Sequence, residues 1–275
     1  MPAGYYRLVQ QTHLWPISGY ENIGVIAMKR NQSSIGFDDN NSDDFSSILN
    51  EKIGLEVHAP DGWQEIISPQ ELQRLVKSGD QVGLHVLVGD IRKSTFLMKA
   101  SISSQRFAII TRDFMKAVKD AASKNDGWFD KFTGDGFIIY WIYGDETNQQ
   151  KYVPEMLSFC DALLSIFPEV MDKYRANSTN FPADIGFSIG IDSGLCNLVR
   201  IEDLNVIGPP VVGASRMVAE AEPFEALFNV SLGTWLDKDK ERLSKDYGIH
   251  IEKKCIKTAE YGEKGQEAYS VRFKK

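Results

Sequence analysis

Residues 82–89 read Val-Gly-Leu-His-Val-Leu-Val-Gly, a nearly continuous apolar run. Such a run is the mark of a central, buried strand, and it organises everything after it. The run ends at Asp90, and a long helical stretch fits roughly residues 95–123. Trp128 to Thr133, Gly134-Asp135-Gly136 and Phe137 to Tyr143 then read as a tight β-hairpin, with Asp-Gly supplying the positive φ of a type I′ turn. A second helix fits Glu155 to Ala176, where Phe159, Leu163, Ile166, Phe167 and Val170 recur at helical spacing. A strand is expected from Asp184 to Ile191, a turn at Asp192-Ser193-Gly194, and another strand to Ile201. Gly208-Pro209-Pro210 opens a short helix, and the chain ends as strand, helix, strand and strand. This β-α-β-β-α-β order predicts an α+β, ferredoxin-like core: an antiparallel sheet with helices on one face.

The residues before this core carry no chemical motif. Residues 1–80 read as an N-terminal extension and 81–275 as the principal domain, consistent with 275 residues and ~150 per domain. The extension holds short apolar pieces at 24–28 and 54–57 and a solvated acidic loop from Asp38 to Asp44. Ser68-Pro69-Gln70-Glu71 opens a helix in capping-box fashion, with proline at its first position. A formal charge of −7 is the wrong sign for a general nucleic-acid or anionic-membrane binder. The longest apolar run, Phe137 to Tyr143, has seven residues against the ~20 that a membrane helix requires. Residues 1–20 lack the apolar stretch of a signal peptide, and Cys160, Cys196 and Cys255 show no metal or disulfide spacing. A soluble, cytoplasmic protein is expected. His13, His58, His85 and His250 lack partners at catalytic spacing and read as structural.

Chemistry concentrates in two carboxylates. Asp90 stands at the carboxyl end of the buried strand, and Asp135 at the tip of the hairpin expected beside it. Paired there, they can hold two divalent ions, as phosphoryl-transfer chemistry requires. Asp90-Ile91-Arg92-Lys93-Ser94-Thr95 then leads into a helix start whose free N–H groups can receive phosphate oxygens.

Four segments, taken together, resemble the class III nucleotidyl cyclase domain. They are Val88-Gly89-Asp90-Ile91-Arg92-Lys93-Ser94-Thr95, Lys131-Phe132-Thr133-Gly134-Asp135-Gly136, Ile189-Gly190-Ile191-Asp192-Ser193-Gly194 and Gly208 to Arg216. The resemblance implies that Asp90, Asp135 and the Ile91 carbonyl hold two divalent cations (Mn²⁺ or Mg²⁺), and that Arg216 meets charge developing on the transferred phosphorus. It makes Lys131 and Asn205 the base-reading pair, and Lys264 a triphosphate lysine. It also implies a homodimer whose sites are shared, Asp90 and Asp135 from one chain facing Arg216 of the other.

Two departures narrow the substrate. Val212 stands four residues before Arg216, where the family usually has a ribose-binding asparagine, and it cannot hydrogen-bond a sugar. This opens the alternative of an inactive nucleotide-binding module. Phe96 stands six residues after Asp90, where purine cyclases carry a small residue; its ring would exclude a purine and stack on a pyrimidine. A compacted base pocket resembles the bacterial Pycsar cyclases, which make cyclic UMP or cyclic CMP as an anti-phage alarm read by a separate effector. The resemblance therefore implies a pyrimidine nucleotide cyclase, UTP before CTP, with an adenylate or guanylate cyclase as the alternative.

Overall fold

The computed structural model describes residues 59–60, 63–101, 103–144, 148–175, 181, 185–200, 204–257 and 265–273. The acidic loop at 38–44 and the apolar pieces at 24–28 and 54–57 lie outside them. A 3₁₀ turn at Trp63–Glu65 precedes α1 (Pro69–Ser78). As the sequence implies, Ser68 caps this helix by accepting from the Glu71 amide, with proline in the first turn, and Gly79 ends it in the left-handed region. The Glu71 carboxylate is taken up by Arg74.

The central run is β1 (Gln81–Arg92), buried from Val82 to Gly89. The expected long helix is divided into α2 (Ser94–Ala100) and α3 (Ser104–Lys124). The break is made by serines: Ser101 closes α2 on the Leu97 carbonyl, and Ser103 caps α3 through the Arg106 amide. β2 (Trp128–Thr133) and β3 (Gly136–Gly144) form the hairpin. Its turn differs from the type I′ expectation: positive φ falls on Gly134, at 82°, and not on Asp135. Thr133 pairs with Gly136 around a two-residue loop, so the turn has the type II′ signature, with glycine first.

After α4 (Val153–Arg175) comes β4 (Gly186–Arg200), which runs unbroken through the expected turn. Asp192, Ser193 and Gly194 pair with Val86, His85 and Leu84 of β1, so the sheet overrides their local turn preference. β5 (Leu204–Ile207), α5 (Pro209–Glu220), β6 (Glu225–Phe228), α6 (Val230–Lys238), α7 (Lys240–Tyr247), β7 (Ile249–Ile256) and β8 (Gln266–Phe273) complete the chain. The helix expected after Gly208 is thus twelve residues long, and two helices stand where the C-terminal segment predicts one.

The strands make one sheet in the order β2-β3-β1-β4-β6-β8-β7, with β5 on β4; only β4 and β6 run parallel. β2-β3-β1-β4, with α3 and α4, is the ferredoxin-like core. Phe114, Phe159, Phe167 and other residues of α3 and α4 pack on one face, joined by α6 and α7. α1 and α5 cover the other through Leu72, Leu75, Ala214 and Val218, so the one-face expectation holds for the core helices alone. Gly190 lets α5 lie directly on β4, because a Cβ there would run into the Ala214 carbonyl. No helix among the described residues is long and apolar enough to cross a membrane.

Candidate active site

Strand alternation decides what faces what. Leu84, Val86 and Val88 pack on the α5 side and Leu87 and Ile91 on the α3/α4 side, which places Asp90 and Arg92 on the α5 side. Asp90 is paired with Gly136 of β3 and with Ser188 of β4, so it stands next to the hairpin tip. Its Oδ1 lies 3.5 Å from where a Cβ on Gly136 would be, immediately beyond Asp135. The two carboxylates do converge at one end of the sheet. Burial raises the Asp90 pKa, the Asp135 charge raises it further, and the Arg92 charge and Ile91 amide lower it.

This donor set fits a hard divalent cation. The carboxylates are half-buried and repel one another, and that of Asp90 takes a hydrogen bond from the Ile91 amide. No group of three or more His, Cys, Asp or Glu side chains suited to a metal occurs among the described residues. A cation here would therefore complete its oxygen shell from the backbone, water and a phosphate ligand.

The two residues expected to read the base are also brought together. Lys131 Nζ donates to Asn205 Oδ1 at 2.6 Å, across 74 residues of chain. A β-bulge makes this possible. Phe129 pairs with Ile139 and Lys131 with Ile138, leaving Asp130 as the extra residue. Without the bulge, alternation would send Lys131 to the α3/α4 side. With it, Lys131 shares the face of Ile138 and Trp128 and reaches β5. The buried Asp130 carboxylate lies 3.5 Å from the same Nζ.

Thr95 and Phe96 lie on α2, and both are exposed. Phe96 keeps 52% of its surface accessible while the adjacent Leu97 fills the core position at 1%. Arg216 is half-buried on α5, and Val212, one turn earlier, is 47% exposed. Lys264 lies outside the described residues.

Arg92, which in the sequence is one residue of the motif after Asp90, has a bonded place of its own. Nε donates to Ser188 Oγ, and Nη2 donates to the Val218 and Ala221 carbonyls, the latter at 2.6 Å. Its position directly after Asp90-Ile91 was the available signal. Other polar residues have structural settings. His85, buried on β1, shares a 2.7 Å hydrogen bond between its Nδ1 and Ser193 Oγ, and burial lowers its pKa to about 4. Asp192 accepts from Ser193 N–H and from Asn229 Nδ2. Cys160 and Cys196 are buried thiols whose pKa values burial pushes up.

No protein-family model and no curated protein matches the chain. Solved structures do. The adenylyl cyclase CyaB from P. aeruginosa aligns with a TM-score of 0.56 at 20% identity, covering 71% of this chain and 96% of that one. A guanylyl cyclase aligns at 0.51 and 18% identity, covering 70% and 93% respectively. At such identities the shared property is the fold, and it is that of the class III adenylyl and guanylyl cyclase catalytic domains.

Proposed function

We propose that this chain is a metal-dependent nucleotidyl cyclase that converts a pyrimidine nucleoside triphosphate, UTP before CTP, to its 3′,5′-cyclic monophosphate and pyrophosphate. The observation that carries this reading is the convergence of Asp90 and Asp135 at one end of a cyclase-fold sheet, on the face that also bears α5. Residues 81–275 form the cyclase unit, and residues 1–80 are an extension of it.

Asp90, Asp135 and the Ile91 carbonyl would hold two divalent cations. The chemistry that such ions supply when bound is a lowered pKa for the ribose 3′-hydroxyl and neutralisation of the triphosphate. Arg216 offers a planar, permanently charged fork to phosphate oxygens as negative charge shifts toward the leaving group. Thr95 stands at the start of the phosphate loop helix, and Lys264 is the remaining triphosphate cation. Leu195, Ile207 and Val212, each about half exposed on the β4–β5 arm and α5, support self-association into a homodimer with shared sites.

Base choice rests on the pair and the ring. Asn205 Oδ1 accepts from Lys131, and the ammonium and amide N–H groups of the pair are donors. Donors suit a carbonyl edge such as O4 of uracil. Guanine offers one too, and the exposed ring of Phe96 is what disfavours the larger base. As in the bacterial enzymes it resembles, the product would be an anti-phage signal read by a separate effector.

The test is purified protein with Mn²⁺ and each of ATP, GTP, CTP and UTP, products identified by mass. Cyclic UMP, or cyclic CMP after it, is the expected product. Cyclic AMP or GMP alone refutes the pyrimidine assignment, and no product from any substrate favours the inactive module that Val212 opens.

A further inference from the structure

Arg92 joins two elements that the proposed chemistry needs in register. It is the last residue of β1, two positions beyond Asp90, and half-buried on the α5 face. Its Nε donates to Ser188, which is paired opposite Asp90 on β4. Its Nη2 donates to the carbonyls of Val218 and Ala221 at the carboxyl end of α5. Those carbonyls belong to the last turn and cap, which have no intrahelical donors left to them. A guanidinium is suited to this place twice over. Its rigid fork serves acceptors on two elements at once, and its charge faces the negative end of the helix dipole.

We infer that Arg92 is a positioning residue for the cyclase reaction: it fixes α5, and with it Arg216, against the strand end that carries Asp90. Arg216 lies two residues before Val218, so any shift or rotation of the last turns of α5 moves it directly. Displacing a phosphate-contacting group by about 1 Å can lower turnover on the order of 100-fold. In the shared-site dimer, α5 serves one site and Asp90 the other, so the same clamp ties the two together. The inference rests on the cyclase reading of the site.

The test uses the full-length protein and the variants Arg92→Gln and Arg92→Lys, with Arg242→Gln on the exposed side of α7 as control. Turnover with the best triphosphate in Mn²⁺, thermal melting, and amide hydrogen exchange across residues 214–221 are measured together. Arg92→Gln is expected to lower kcat on the order of 10–100-fold, with KM within about twofold and exchange across 214–221 rising tenfold or more. Arg92→Lys, which keeps the charge without the fork, should fall between this and wild type. A raised KM at unchanged kcat would make Arg92 a direct phosphate ligand and overturn the positioning role. So would a loss of kcat no larger than the loss of folded protein. If the wild type turns over no triphosphate, the cyclase reading fails by itself. Exchange then decides whether Arg92 holds α5, and unchanged protection there overturns the clamp.

Discussion

The two faces of the sheet both bury apolar side chains and differ at one end of the strands. On the α3/α4 face, Phe114 meets Phe137 and Phe167 with ring centroids 6.4 and 5.2 Å apart, and Phe159 meets Phe137 and Trp141. On the α5 face the strand ends carry Asp90, Arg92, Ser188 and the buried Glu225, whose carboxylate is held by Lys254, Ser270 and the Glu222 amide. Both faces bury apolar area, but on the α5 face one end of the strands spends polar groups on fixed geometry. A close-packed aromatic face behind the strands gives those groups a rigid backing.

That division is open to attack from either side. The largest expected effect is on the packed face. Phe114→Ala leaves a cavity and should cost about 3–5 kcal/mol of stability, read from urea unfolding, while the folded fraction keeps its KM. A changed KM would mean that the faces are not separable. Asp135→Ala should reduce turnover about 10³-fold or more with melting nearly unchanged, several kcal/mol of lost transition-state stabilisation. Turnover that survives it would refute the two-carboxylate site.

His85 breaks the apolar rule of its face, and pH exposes the consequence. Its pKa is about 4 when folded and about 6.5 when unfolded, so between these values the unfolded chain binds more protons. Its contribution is present in full above pH ~6.5 and is lost as the pH falls toward 4, by about 2–3 kcal/mol. Comparing urea midpoints at pH 7 and 4.5 should show a larger loss for wild type than for His85→Gln, and equal losses would remove His85 from the acid response. The smallest effect is Phe96→Ser, which should lower the preference for UTP over ATP about tenfold without altering stability. An unchanged substrate profile would take Phe96 out of the base pocket.

What was legible in the sequence was what neighbours in the chain decide. The apolar run of β1 and the Ser68 cap follow from short-range pattern, and the Asp90–Asp135 convergence follows once the two-residue hairpin is set beside β1. The misreadings have a common cause. Asp192-Ser193-Gly194 has turn composition, yet β1 supplies a ladder partner for all three. The Lys131–Asn205 pair, which the resemblance implies, is by contrast brought together, through a bulge at Asp130 that no local preference announces. Arg92 is visible in the sequence only by its place after Asp90-Ile91, because its acceptors stand 96, 126 and 129 residues further on.

The unbroken course of β4 has a consequence for how this chain can change. Fifteen residues of one strand, roughly 50 Å long, connect the end of the sheet that carries Asp90 to the arm that bears Asn205. Sidedness along it is a matter of parity. One residue inserted at Asp192 would exchange odd for even, turning Cys196 and Leu198 out of the core and re-aiming everything the arm carries. Such a strand admits substitutions freely and length changes hardly at all, so variation in this molecule is channelled into its loops.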